Sequence, residues 1–300
     1  MEIKNNTWQL YEGLNDLELE DICKNLAIPH DYLSGVNDPF EIARSEEALL
    51  DNGGTRSLIV LQYLFPQMNS REYREYKTRA ISLVKVEDQL ITALPETPSY
   101  LRDIFKEFND SVGFDYEEMV MKVFWKIQNE TIKVLAWIHE EIEAMQKDIE
   151  YSSQNQELYR LMSLDKTLAY IKTAVQNNRR VLEQISKNDQ FQNIHRLKAL
   201  MHDVLIESLQ AESMVDEGMR IVDQLSDIFS NVISNNLNNV MKILTSITII
   251  LTIPTIIGGL WGMNVPVPFQ EYGGGFIITT LLSILISIIV AIWLKSKDYL

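Results

Sequence analysis

The chain has 300 residues, 42 acidic against 27 basic side chains, and a formal net charge of −15. That length allows about two domains. The acidic balance argues against nucleic acid as a partner, since phosphate binding needs a basic face; it suits cations and also aids solubility. The single cysteine, Cys23, forbids an intrachain disulfide and fits a reducing compartment.

The N-terminal Met-Glu-Ile-Lys-Asn-Asn has no apolar core, so no signal peptide is expected. Residues 1 to about 110 mix short strand-like runs with helices. Leu17 to Ala27 reads as a helix. Ser57 to Leu64 reads as a strand ended by Pro66. Thr78 to Val86 and Gln89 to Ala93 are strand candidates, with Glu87-Asp88 as a hairpin turn. A helix from Ser99 to Phe108 follows. The set reads as a small α/β domain, or as edge segments of something less regular.

From Ser99 to Ile253 there is no proline, and the only glycines are Gly113 and Gly218. Such a stretch permits long helices. Apolar residues recur every three or four positions in three series. The first runs from Val120 to Ile149, with Thr131 filling one step; the second from Leu161 to Ile185; the third from Ile194 to Val232. These are seams of helices packed along their length. Gly218 falls on the third seam, where a small residue permits close approach. Turns are expected at Tyr151–Asn155 and Lys187–Gln190. From about Phe191 to Pro254 only Gly218 interrupts the helix. Some 70 residues at about 1.5 Å each give a rod of roughly 100 Å.

Two uncharged runs follow, from after Lys242 to Glu271 and from Tyr272 to Leu294. Each exceeds the roughly 20 residues a helix needs to cross a bilayer. Lys242 precedes the first run, Lys295 and Lys297 follow the second, and the connection lacks Lys and Arg. The soluble part and both termini are therefore expected in the cytoplasm of a multi-pass protein of the cell membrane. The boundaries read as follows: 1–112, a cytoplasmic α/β domain; 113–241, long helices including a stalk; 242–262, the first transmembrane helix; 263–272, an outer loop; 273–294, the second transmembrane helix; 295–300, a basic cytoplasmic tail. Pro254 lies inside the first span, where it removes a backbone bond. Trp261 and Trp293 sit at span ends, as an aromatic belt places them.

One face of the first span is polar. Leu244 or Thr245, then Thr248, Thr252, Thr255 and Gly259, follow at three or four residues. Inward the line reaches Met241, Asn238 and Asn235; outward it reaches Asn264. Such a stripe suits a helix lining water, and equally suits helix–helix packing, where Thr and Gly are common. Two spans cannot enclose a pore, so a pore needs several copies of the chain.

Gly262-Met263-Asn264 closes the first of two C-terminal spans behind a large soluble region. This arrangement, over the whole chain, resembles the CorA family of divalent-cation channels. The resemblance implies an α+β cytoplasmic domain, then long coiled helices and two C-terminal transmembrane helices, in a funnel-shaped homo-oligomer that is pentameric. The stalk helix would continue into the first span. Gly262, Met263 and Asn264 would form the selectivity filter. Asn238, Met241, Leu244, Thr248, Thr252, Thr255 and Gly259 would line the pore, with Met241 and Leu244 as apolar constrictions. Mg²⁺ would be both the transported and the regulatory ion, with Co²⁺ or Ni²⁺ as further cargo. It sheds water reluctantly and prefers oxygen partners, so neutral amide oxygens could hold the hydrated ion weakly enough to release it. Glu271 is a candidate for concentrating cations, or simply a loop charge.

The resemblance also implies closure by cytoplasmic Mg²⁺ bridging carboxylates of neighbouring subunits. Asp203 matches the stalk position. The expected partner falls at Gly35, which has no acid, and Asp38 is the nearest candidate. The stalk's acidic line, Glu212, Asp216, Asp223 and Asp227, is a second candidate; each reads equally as a solvated helix face. A further cluster, Glu140, Glu141, Glu143, Asp148 and Glu150, reads as solvated. His195 and His202 are too far apart along one helix to clasp a metal together. The chain has no phosphate loop, metal-hydrolase motif or nucleophile elbow, so an enzyme is not expected. Rival readings are a zinc transporter of the same family and a non-conducting receptor or scaffold.

Overall fold

In a computed structural model the residues described are 3–4, 8–49, 55–87, 89–110, 115–148, 155–192, 194–269, 271 and 273–299. The chain divides into two units, Met1–Ser226 and Asp227–Leu300.

In the first unit, apolar runs form a sheet buried on both faces. Its strands are β1 (Ile3–Lys4), β2 (Trp8–Glu12), β3 (Arg44–Leu49), β4 (Thr55–Met68), β5 (Arg74–Val86) and β6 (Gln89–Leu94). They lie in the order β1-β2-β6-β5-β4-β3. Only β2 and β6 pair in parallel; the other neighbours are antiparallel. Alternation sends Leu58, Val60, Ala80, Val84, Ile91 and Ala93 to a core shared with α1 (Asp16–Leu26) and α2 (Asp31–Ser34). The intervening Ile59, Leu61, Ile81, Leu83 and Leu90 meet α3 (Ser99–Asp110) and α4 (Tyr116–Asp148) on the other face. Burial on both sides explains why these strands read as continuous apolar runs. Trp8 ties the faces' edges: its indole N–H donates to Thr92 Oγ1 at 3.0 Å, and its ring packs on Phe105 and Phe108.

The expected elements are present with shifted ends. A capping box sets the start of α1: Asn15 Oδ1 accepts from the Leu17 and Glu18 N–H groups, and Glu18 accepts from the Asn15 N–H. Pro66 does not end its strand. It pairs with Tyr76 inside β4, which runs on to Met68. Pairing with β3 stops at Val60. Beyond it, Gln62 turns its N–H and C=O outward to the side-chain amide of Asn178, at 2.8 and 2.7 Å. Pro66 is four residues on and faces the same way, so its missing N–H breaks no ladder bond. β3, Arg-Ser-Glu-Glu-Ala-Leu, has no strand signal of its own; pairing with β4 imposes its state.

Long helices complete the unit: α4, α5 (Asn155–Ile185) and α7 (His195–Trp261), with a single-turn α6 (Asp189–Gln192) before the last. The third long helix thus starts at His195 and not at Phe191. The turn read at 151–154, Ile149, Glu150 and Gly113 lie outside the described residues. Val120, Phe124, Ile127, Thr131, Val134, Ile138, Ile142 and Met145 are all buried, as are Leu161, Leu164, Leu168, Ile171, Val175, Leu182 and Ile185. Leu197, Val204, Ala211, Val215, Val222 and Leu225 of α7 are buried too. A Cβ on Gly218 would sit 3.2 Å from Leu168 Cδ2 and 3.7 Å from His139 Cε1, so α7 does approach its neighbours closely there. One core runs from Trp8 and Phe105 through Phe124 and Leu182 to Leu197 and Val204, across the boundary read at residue 112.

The second unit holds the remainder of α7 and α8 (Gly275–Lys295). Both helices are long and apolar enough to cross a membrane.

Candidate functional site

Pro254 lies within α7 without ending it. Its missing N–H leaves the Ile250 carbonyl without a helical partner. Ser287 of α8 reaches that carbonyl with its hydroxyl at 3.5 Å, while also donating to Ser283 O at 2.9 Å. Ser246 Oγ donates to the Tyr299 carbonyl at 3.0 Å, in the tail after α8. Trp261 meets the first residue of α8, Gly275. Ile253 and Ile257 lie between these contacts and are half-buried. Ser246, Ile250, Ile253, Ile257 and Trp261 therefore form the face of α7 turned to α8. On α8, Gly275, Ser283 and Ser287 are buried, a run of small residues that lets two helices approach.

The threonine stripe lies on the other side. At about 100° per residue, Met241, Leu244, Thr248, Thr252, Thr255 and Gly259 centre roughly 180° from that face. Met241, Leu244, Thr248, Thr252 and Thr255 are exposed in the single chain, and a Cβ on Gly259 would meet nothing within 4 Å. Packing against α8 thus does not account for the stripe. Thr248, Thr252 and Thr255 donate their hydroxyls to the carbonyls four residues back, at 2.8, 2.7 and 2.9 Å. With each hydrogen committed to the backbone, the hydroxyl oxygens remain available as acceptors on the open face. Asn238 is also exposed, further down the helix.

The triplet follows the last residue of α7. Gly262 N–H donates to Gly258 O at 2.9 Å and Met263 N–H reaches Leu260 O at 3.4 Å, so the helix tightens as it ends. Gly262 has no positive φ; among the described residues Gly13 is the one glycine that does. Met263 and Asn264 are exposed, and so is Glu271. Met263 is 53% exposed in the single chain.

The acidic candidates fare unequally. Asp38 is exposed and accepts from the Phe40 N–H at 2.8 Å. Over Gly35 stands a carboxylate that sequence reasoning missed. A Cβ on Gly35 would lie 2.6 Å from Glu41 Oε2, and Glu41 is ion-paired to Arg44. The Glu41–Arg44 spacing was the available signal. Asp203 is exposed beside Glu207, whose carboxyl burial and the Asp203 charge push upward. Asp216 is paired with Lys172 at 2.9 Å, and Glu212 with Arg179. Asp223 faces Asp165, whose carboxyl is pushed upward by burial and then by the Asp223 charge. Asp227 is exposed. Half of this line is therefore neutralised by α5. Among the described residues, no group of three His, Cys, Asp or Glu side chains in one chain is arranged to hold a metal.

Comparison with known proteins follows the same lines. The magnesium transport protein CorA of Helicobacter pylori is 22% identical over 199 residues, covering 65% of this chain and 60% of that protein. The cobalt/magnesium transport protein CorA of Thermotoga maritima is 24% identical over 168 residues, covering 56% and 48%. The matches thus span less than two thirds of these relatives' length. The complete structure of the CorA magnesium transporter from Methanocaldococcus jannaschii superposes with a TM-score of 0.76 at 20% identity, covering 98% of this chain and 91% of that one. The full-length CmaX protein gives 0.69 at 14%, covering 98% and 88%. At these identities the structural likeness speaks for the fold. A family model described as CorA-like Mg2+ transporter protein matches residues 4–296, nearly the whole length. With that match and a Gly-Met-Asn turn between two C-terminal apolar helices, the chain belongs to the CorA-like Mg²⁺ transporter family.

Proposed function

We propose that several copies of this chain, five by family resemblance, pack around an axis in the cell membrane and pass Mg²⁺ into the cytoplasm, with Co²⁺ or Ni²⁺ as further cargo. The observation that carries this reading is the threonine stripe on the face of α7 opposite α8, running up to an exposed Gly-Met-Asn turn. A stripe left open by its own chain has two uses, contact with other copies or contact with water. Its outward hydroxyl oxygens favour water and a hydrated cation. Asn264 amide oxygens would meet the ion at the outer mouth and hold its water shell by hydrogen bonds. The dehydration cost, high for Mg²⁺, is then avoided. Neutral ligands bind weakly enough for the ion to leave. Met241 and Leu244 would close the inner end by excluding water. The lysines flanking the spans, Lys242, Lys295 and Lys297, support cytoplasmic termini. Cytoplasmic Mg²⁺ would close the channel through carboxylates shared between copies, with Asp203 and Asp38 the first pair and Asp216, Asp223 and Asp227 the second set.

The test is entry of Mg²⁺ into liposomes holding the purified protein, read by an internal dye, with Asn264→Ala beside it and a zinc dye in parallel. Mg²⁺ entry that disappears in a folded, assembled Asn264→Ala supports the reading. Zinc entry without magnesium assigns the chain to zinc transport, and entry of neither ion by an assembled protein favours the non-conducting scaffold.

A further inference from the structure

We infer that Trp261 and Gly275 form a clamp that fixes the Gly-Met-Asn turn in place, making them positioning residues for the ion passage proposed above, on which this inference rests. Trp261 is the last residue of α7 and directly precedes the triplet. Its indole N–H donates to the Pro268 carbonyl at 3.0 Å. That one bond closes a loop containing residues 262 to 267, so both arms of the turn are tied at its base. Met263 and Asn264 are exposed. Within the chain, their place is therefore set by the backbone ends of the turn and not by packing of their own side chains.

The return arm is held from the other side. Phe269 has φ of 69°, a left-handed conformation that a bulky residue adopts only when its surroundings impose it. Its carbonyl lies against the first residue of α8. A Cβ on Gly275 would stand 2.3 Å from Phe269 O and 3.0 Å from Trp261 Cζ2. No side chain fits there, because one of the opposing atoms is backbone. Around Gly273 and Gly274 nothing lies within 4 Å of an added Cβ. Of the three consecutive glycines, only Gly275 is demanded by space. The end of α7, the return of the loop and the start of α8 thus converge on the indole ring. An indole is needed for this contact because it adds a donor to the flat ring, and Phe supplies only the ring.

The test uses the full-length protein in liposomes, with Trp261→Phe, Gly275→Ala and the control Gly274→Ala. Three readings are taken: the ratio of Mg²⁺ to Ca²⁺ entry, the Mg²⁺ concentration giving half-maximal entry, and the amount of assembled protein by size exclusion. A purely structural role changes the amount of assembled protein and leaves the ratio per channel alone. The clamp predicts a fall in the Mg²⁺/Ca²⁺ ratio of about threefold or more in Trp261→Phe and Gly275→Ala, the scale of one lost hydrogen bond, with Gly274→Ala unchanged. Should Gly275→Ala fail to assemble, Trp261→Phe decides alone, since it keeps an aromatic side chain at the helix end. Wild-type entry of Mg²⁺ with an unaltered ratio and half-maximum in Trp261→Phe overturns the clamp and leaves the transport reading standing. A Gly274→Ala effect equal to that of Gly275→Ala also overturns it. Absence of divalent entry in the wild type overturns the transport reading, and the clamp's role with it.

Discussion

Ser287 on α8 reaches the carbonyl of Ile250, the group that Pro254 deprives of its helical donor. In a hydrocarbon environment an unpaired carbonyl is costly, and a serine hydroxyl shared between this carbonyl and Ser283 O relieves it in part. The two residues should therefore be coupled. Ser287→Ala alone is expected to destabilise the protein by about 1 kcal/mol, the net worth of one hydrogen bond. In a Pro254→Ala background, where the helix supplies its own donor, the same change should be close to neutral. A double-mutant cycle of unfolding in detergent measures the coupling. Equal costs in both backgrounds would show that Ser287 does not serve the proline.

The two faces of α7 should respond differently to substitution. Thr252→Val removes an outward oxygen at nearly constant volume, whereas Ile257→Leu changes only the α8-facing side. Mg²⁺ entry into liposomes is expected to fall severalfold in the first and stay near wild type in the second. The reverse order would place the water-lined face elsewhere.

Regulation gives a third expectation. Asp38 and Asp203 are both exposed, whereas Glu212 and Asp216 are engaged in ion pairs with Arg179 and Lys172.

 Residues already paired within the chain have less to offer a divalent ion. Asp203→Ala combined with Asp38→Ala should therefore raise the internal Mg²⁺ concentration needed to block entry. Unchanged block in an assembled double variant would remove these two from the sensor.

Asn178 satisfies both backbone groups of Gln62 at the open edge of β4, from a side chain that is 2% exposed. Asn178→Ala leaves a buried N–H and C=O unpaired, and about 2–4 kcal/mol of stability should be lost. Asn178→Leu fills the space without restoring either bond and should not rescue it. Chemical denaturation of the full-length protein checks both. A loss well under 1 kcal/mol would mean that water replaces the amide.

Glu75 gives a pH dependence. Burial raises its carboxyl, but hydrogen bonds from Asn69 and Ser163 and the charge of Lys166 outweigh this, so the group lies below its ordinary value of 4.5. A depressed folded value means that the stabilisation is fully present above pH 4.5 and is lost as the pH falls through the lower folded value. The β4–β5 hairpin should loosen from α5 at acid pH, seen as faster amide exchange at residues 67–75. Glu75→Gln should weaken the contact at neutral pH and flatten its acid dependence. An unchanged acid profile in that variant would move the titration to another group.

The sequence alone determined the long helices, because apolar spacing is a local property and every described seam position read from it is buried, or half-buried at Ile194, Met201 and Val232. It also determined the two apolar helices and the Gly-Met-Asn turn, which depend on composition and on a short motif. What it left open required partners distant in the chain. β3 is a strand only because β4 lies beside it, and β4 passes through Pro66 only because its outer edge meets a helix and not another strand. The threonine stripe illustrates the same division. Its spacing was legible, but spacing cannot say which side of a helix another helix covers. The contacts of Ser246, Ile250 and Trp261 decided that for α7 and α8, because a small or hydrogen-bonding side chain takes its meaning from the surface that meets it. Gly275 was one glycine among three until Phe269 and Trp261 closed on it from either side of the turn.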